Sequence, residues 1–331
     1  IQKDLDDGID TIGKKMTVCQ LYEKYTRQRG NVRKGTQKSR QQLMKLLSED
    51  KLGAASIDSV KLSDAKEWAI RMKEKGISYK TISNDKRSLK AAFYTAIQDD
   101  CIRKNPFDFQ LNTVIEDDTE PKVPLTPAQE ESFLSFAQND KVYQKYYDEL
   151  IILLGTGLRI SELCGLTDTD INFENRIINV DHQLLRSAET GYYIETPKTK
   201  SGIRQIPMSE KVYEAFNRVL KRRRGAKAVT IDGYSNFLFL NRDGYPKTAT
   251  NYDGMFRGLA KKYNKYHEEA LPKVMTPHTL RHTFCTNMAN AGMNPKALQY
   301  IMGHSNITMT LNYYAHATFD SAKAEMLRIA A

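Results

Sequence analysis

The stretch Gly155-Thr156-Gly157-Leu158-Arg159-Ile160-Ser161-Glu162-Leu163 marks a change of texture in the chain. Ahead of it, Tyr146 to Thr156 is strongly apolar and reads as a buried helix. The glycines end that helix. A second helix then opens on an arginine, with a carboxylate three positions on and on the same face. Taken alone, this is an ordinary helix–helix corner carrying an i,i+3 salt bridge.

Upstream, Leu125-Thr126-Pro127 begins a domain, with Thr126 as helix cap and Pro127 at the first helical position. Leu111 to Pro124 is rich in Glu, Asp and Pro and poor in apolar side chains, the signature of a linker. Before that linker, helices are expected over Met16–Arg29, Thr36–Leu47, Ser63–Lys75 and Thr81–Asp99. Thr17 caps the first, Gly76 stops the third, and the fourth turns Ile82, Leu89, Phe93 and Ile97 inward. Asn105-Pro106 prevents the fourth from continuing.

Downstream, Arg176–Val180, Tyr192–Pro197 and Arg204–Pro207 read as short strands, with 198–202 as the turn of a hairpin between the last two. Helices then dominate, interrupted by a strand at Phe237–Leu240. The expected fold is mainly α: a lead over 1–15, a helical domain over 16–110, a linker over 111–124, and a mixed α/β domain over 125–331 with a small antiparallel sheet and a carboxy-terminal helix.

The 331 residues carry 50 Lys+Arg against 40 Asp+Glu, a formal charge of +10 that suggests a polyanionic partner. Residues 1–113 hold 23 basic against 15 acidic side chains and the remainder 27 against 25, so the excess is amino-terminal. No apolar run reaches the roughly 20 residues a membrane helix needs, and a soluble cytoplasmic protein is expected. Cys19, Cys101, Cys164 and Cys285 are far apart, which argues against a zinc ribbon or a disulfide framework and for inert thiols in a reducing compartment.

Three further motifs follow the arginine corner. Thr196-Pro197-Lys198-Thr199-Lys200-Ser201-Gly202 is a turn bearing two lysines, which by itself is a common solvated feature. His278-Thr279-Leu280-Arg281-His282 puts His278 and Arg281 on one helical face, with His282 about 40° from His278. A metal site is the rival there, but the HExxH spacing and its glutamate base are missing. Met302-Gly303-His304-Ser305 precedes Tyr313-Tyr314-Ala315-His316, and paired tyrosines usually serve packing.

In this order, from Arg159 to Tyr314, the motifs resemble those of the tyrosine recombinases, or phage integrases, and most nearly those from phages and conjugative transposons of Gram-positive bacteria. That family's order is an arginine followed by an acidic residue, a hairpin lysine, an H-x-x-R box, an (L/M)-G-H box and a tyrosine. The resemblance implies the tyrosine recombinase fold, with a core DNA-binding domain ahead of the catalytic one. It implies an active site of Arg159, Lys198, His278, Arg281, His304 and Tyr314, with Glu162 supporting the first arginine and His282 buttressing the site. Lys198 is preferred to Lys200 because the family's lysine opens the K-T-K pattern. Tyr314 is preferred because it stands one residue before an x-H pair; members that place the tyrosine nine residues after the histidine would instead select Tyr313.

The implied reaction is cleavage and rejoining of DNA through a 3′-phosphotyrosyl bond, integrating or excising a mobile element. Arginines clamp the phosphate oxygens and a lysine protonates the 5′-hydroxyl leaving group, without a metal, ATP or another cofactor. The implied partners are double-stranded DNA at element ends and targets, three further copies of the chain in a tetramer, and an excisionase or DNA-bending protein. Lys38, Arg40, Lys80, Lys86, Arg87 and Lys90 are the candidate DNA contacts in the first domain. Lys221-Arg222-Arg223-Arg224 is a further basic patch, or a charged helix end that complements its dipole. Phe319–Ala331 is a candidate for exchange between subunits. The opening residues read as a linker, as though following an arm-binding domain. The rivals are a topoisomerase of related type, a DNA-binding protein with a silent site, and a metal-dependent nuclease.

Overall fold

The computed structural model describes residues 15–120, 123–197, 199–223, 229–314 and 326–327. The chain falls into two compact units, Ile1–Pro121 and Lys122–Ala331.

The first unit is helical. Helix α1 (Val18–Gln28) starts at a reciprocal cap in which the Thr17 hydroxyl and the Gln20 side chain each accept the other's backbone N–H. It is followed by α2 (Lys34–Ser48), a one-turn α3 (Lys51–Ala54), α4 (Leu62–Glu74) and α5 (Tyr79–Gln98). The sequence pattern did not announce α3, which is too short to show a periodicity. Asp50 makes it possible by capping Leu52 N–H at 2.9 Å while taking two bonds from Arg71 at 2.7 and 2.9 Å. Gly53 is required there, since a Cβ would lie 2.1 Å from the Leu47 carbonyl oxygen. Trp68, Phe93 and Phe107 fill the core, with the Phe107 ring edge-on to Trp68 at 5.8 Å. Burying a side chain such as Phe107 contributes about 2–3 kcal/mol. Leu111 and Ile115 also enter this core, so the start of the acidic stretch packs with the first unit.

The second unit opens with α6 (Pro127–Asn139), capped by Thr126 and Gln129. Next come α7 (Tyr147–Thr156), α8 (Ile160–Gly165), β1 (Ile171–Asn172), β2 (Ile177–Val180), β3 (Gln183–Ser187), β4 (Gly191–Glu195) and β5 (Arg204–Pro207). Helices α9 (Glu210–Arg223), α10 (Ala249–Tyr266), α11 (Pro277–Asn290), α12 (Pro295–Met302) and α13 (Thr308–Leu311) follow. Strands β1, β2 and β5 form an antiparallel sheet with Ile178 opposite Ile206, while β3 and β4 form a separate two-stranded ribbon.

Two strand expectations are corrected. The segments around Tyr192–Pro197 and Arg204–Pro207 are not hairpin partners. A turn upstream, with Gly191 at φ +68° and Thr190 N–H bonded to the Ser187 hydroxyl, folds β4 back on β3, and β5 pairs with β2. Phe237–Leu240 is no strand. Phe237, Leu238 and Phe239 are all buried and are held by single bridges, Leu238 N–H to the Leu166 carbonyl and Lys247 N–H to that of Phe239.

The main core of this unit gathers Phe133, Leu150, Leu153, Phe216, Tyr252 and Phe256. A smaller cluster of Phe284, Cys285, Ala289, Leu298 and Met302 joins α11 to α12, and Tyr313 and Tyr314 pack on it. No described helix is long and apolar enough to cross a membrane.

Candidate active site

The corner between α7 and α8 is built by Gly157, at φ +64° with Phe284 so near that a Cβ would lie 2.5 Å from its ring. Arg159 then occupies the cap of α8. Its backbone N–H donates to Glu162 Oε2 and its Nη1 to Oε1, both at 2.8 Å. The three-residue spacing thus closes a local ring that folds the arginine back over its own helix start. The remaining Nη2 reaches the Gly303 carbonyl at 3.0 Å.

Arg281 arrives from α11. Its Nη1 donates to the Gly157 carbonyl at 2.5 Å, and its Nη2 donates to the carbonyl of Met302. Arg159 and Arg281 therefore bind consecutive carbonyls at the end of α12, although 122 positions separate them in the chain. Burial, followed by the charge of Arg159, lowers the Arg281 pKa to about 9, and the guanidinium remains charged at neutral pH.

Glu162 is buried, with 3% of its side chain exposed. Burial alone would raise its pKa; the bonds and charge of Arg204, then Arg159, overcome this and hold it at about 2. Arg204 is the residue that the sequence reading missed. It gives Nη1 and Nη2 to the two oxygens of Glu162 at 3.0 and 2.9 Å, Nη1 also to the Gly202 carbonyl, and Nε to the Ile301 carbonyl at 2.6 Å. The available signal was its place on β5, where Arg204 and Ile206 face inward and Gln205 and Pro207 outward. An arginine at an inward strand position demands a buried acceptor.

His304 follows Gly303, which ends α12 at φ +61°. It is buried, with Nδ1 at 2.9 Å from the Thr310 hydroxyl. Burial and the positive charges of Arg281 and Arg159 push its pKa down to about 4, so it is neutral at pH 7. His278, exposed one turn ahead of Arg281, also bears electrostatically on His304. Arg159, Glu162, Gly303 and His304 line a cleft of about 330 Å³ closed on one side by Pro197, Thr199 and Gly202. Lys198 lies outside the described residues. Lys200 is exposed on the 200–202 turn at this wall.

The two tyrosines differ. The Tyr313 ring stacks obliquely on His282 at 4.8 Å, and burial and Cys285 raise its pKa against the lowering field of Arg281. Tyr314 donates its hydroxyl to the Met293 carbonyl, and burial and Cys285 raise its pKa. The two rings therefore face different surroundings.

Of the first-unit candidates, Lys38, Lys80 and Arg87 are exposed. Arg40 is instead engaged internally, donating to the carbonyls of Thr26 and Arg29 at the end of α1. Lys90 pairs with Asp108 at 2.5 Å, and Lys86 sits 4.4 Å above the Phe109 ring. In the basic patch, Arg222 bonds Asp148 and Arg223 the Phe237 carbonyl, which favours the structural reading for these two; Arg224 lies outside the described residues, as does nearly all of the carboxy-terminal segment. Cys101, Cys164 and Cys285 are buried, and burial pushes the Cys285 thiol up to about 12.

Against known proteins, residues 124–321 match the model of the phage integrase family. The chain is 68% identical over 329 residues to the transposase of transposon Tn916 from Enterococcus faecalis, spanning 99% of this chain and 81% of that one. It is 26% identical over 272 residues to the tyrosine recombinase XerC of Bacillus pumilus, spanning 82% of this chain and 81% of that one. The Tn1549 transposon integrase, 74% identical, superposes with a TM-score of 0.91 over 95% of this chain and 99% of that one, in an arginine-to-lysine variant bound to circular-intermediate DNA. Its tyrosine-to-phenylalanine variant, bound to transposon right-end DNA, superposes with a TM-score of 0.90 over 96% of this chain and all of that one.

Proposed function

The chain belongs to the phage integrase family of tyrosine recombinases, and on that premise we propose how its residues break and rejoin DNA. The observation that carries the reading is the convergence of Arg159 and Arg281 on the Met302–Gly303 carbonyls beside His304. Their planar, permanently charged groups suit the non-bridging oxygens of one DNA phosphate. His278 and His304 add directed donors. Charge gained by the phosphate as a phenol attacks is thereby met by fixed dipoles and cations.

The nucleophile is Tyr313 rather than the expected Tyr314. Tyr313 lies within the field of Arg281, whereas the Tyr314 hydroxyl is committed to the Met293 carbonyl. The tyrosine stands nine residues after His304, the spacing held open in the sequence reading. In the Tn1549 integrase, the substituted arginine and the substituted tyrosine are separated by the same interval as Arg159 and Tyr313. An unperturbed phenol has a pKa near 10, so loss of its proton needs the neighbouring cation and an acceptor, His278 or water.

Attack by the phenolate oxygen forms a 3′-phosphotyrosyl bond and breaks the bond to the 5′-oxygen, which takes a proton from Lys198, or from Lys200 on the same turn. The covalent link stores the phosphodiester energy, and a second 5′-hydroxyl reverses the step. The partner is double-stranded DNA at element ends and target sites. Residues 16–110 form the core-binding domain and the second unit the catalytic domain. The wider assembly is a tetramer on DNA, aided by an excisionase or DNA-bending protein, in the bacterial nucleoid.

The test is a nicked suicide duplex of element-end sequence. The parent chain traps a covalent adduct, undiminished by EDTA; Tyr313→Phe gives none and Tyr314→Phe retains it. An adduct lost only in Tyr314→Phe reverses the assignment. A silent DNA-binding protein gives no adduct, and a topoisomerase relaxes plasmids that lack the site.

A further inference from the structure

Thr310 lies on α13, three residues ahead of Tyr313, with its side chain wholly withdrawn from water. It makes two bonds of different kinds. Its carbonyl accepts the Tyr313 N–H at 3.0 Å, and its hydroxyl meets Nδ1 of His304 at 2.9 Å. A single side chain and its own backbone thus link the imidazole in the cleft to the segment that bears the tyrosine.

A neutral imidazole has one N–H and one lone pair, and the partner of one nitrogen decides what the other presents. His304 is neutral at pH 7. With Nδ1 committed to Thr310 and the ring lining the cleft, Nε2 is the nitrogen that meets a ligand. A proton on Nδ1 would leave a lone pair on Nε2, which repels a phosphate oxygen. A hydroxyl that donates to Nδ1 places the proton on Nε2, where it can be donated to that oxygen.

We propose that Thr310 is a positioning residue: its hydroxyl donates to His304 Nδ1, selects the Nε2–H tautomer for phosphate recognition, and ties that imidazole to the Tyr313 segment. This rests on the recombinase reading above. Thr310 touches neither phosphate nor phenol and acts through His304.

The test uses the whole chain with ¹⁵N-labelled histidine and the nicked suicide duplex. Thr310→Val, which keeps the shape and removes the hydroxyl, shifts the His304 nitrogen resonances away from the Nε2–H pattern. It also slows adduct formation by about 10- to 100-fold, the scale on which losing a histidine's orienting partner acts, while duplex affinity changes little. Thr310→Ser restores both the tautomer and the rate. The proposal is overturned if Thr310→Val cleaves at the parent rate with the tautomer unchanged. It is equally overturned if Thr310→Ser is as slow as the valine variant, because then the methyl group and not the hydroxyl matters. Absence of an adduct from the parent chain itself would sink the recombinase reading instead.

Discussion

Glu162 and Arg204 meet in a two-pronged ion pair, at 2.9 and 3.0 Å, with 3% and none of their side chains exposed. Because the carboxylate also holds Arg159, this pair anchors the proposed phosphate site. Arg204 further joins the wall of the cleft, through the Gly202 carbonyl, to the end of α12, through that of Ile301.

Removing one partner strands a buried charge. Arg204→Ala is expected to cost about 3–5 kcal/mol, measured by urea unfolding at pH 7. Glu162 sits at about 2 in the fold against an ordinary value of 4.5. On acidification the unfolded chain takes up this proton first, so the stabilisation is complete above about 4.5 and is lost as the pH falls toward 2. The stability gap between parent and Glu162→Gln should therefore narrow between pH 5 and pH 3. A gap independent of pH would contradict the assigned charge state.

His304 gives an acid sensitivity of the same sign in a higher pH window. Its folded value is about 4 against 6.5, so between those limits the unfolded chain binds the proton and the native one does not. Stability falls as the pH drops from 6.5 to 4, and His304→Gln should remove that part of the slope. A histidine NMR titration of the free protein should place the His304 midpoint near 4; a midpoint at 6 to 7 would refute the buried, arginine-surrounded environment.

The first unit separates two roles that look alike in sequence. Arg40→Ala should cost about 1–2 kcal/mol of stability, because it removes charged donors from the end of α1. Lys38→Ala and Lys80→Ala should leave the melting temperature unchanged, weaken duplex binding, and each reduce the salt slope by about one phosphate contact. Equal effects of all three on melting would remove the distinction.

These outcomes bear on how far the sequence could be read. Caps with one side-chain signature, such as Thr17 with Gln20 and Thr126 with Gln129, were recoverable because the interaction is local. Arg159 and Glu162 were legible for the same reason. The partnership of β4 with β3 was not, since strand pairing depends on which turn closes first, and the lysine-bearing turn was as plausible a closure as 188–190. Arg204 escaped because its partner lies 42 residues away, and Thr310 because its bond to His304, six residues back, follows no helical or capping spacing. Arg40 and Lys38 could not be told apart by charge alone; only the neighbouring carbonyls distinguish them.

Arg159 and Arg204 bond Glu162, Arg281 acts on it electrostatically, and His304 contributes no charge at pH 7. The centre consequently holds an excess of two positive charges in a partly dehydrated interior. In the proposed reaction the phosphate is then a counterion as well as a reactant, relieving repulsion among the three guanidinium groups. A phosphodiester brings one negative charge and halves that excess, so DNA bound at the proposed site is expected to raise the melting temperature of the second unit even before any bond is broken.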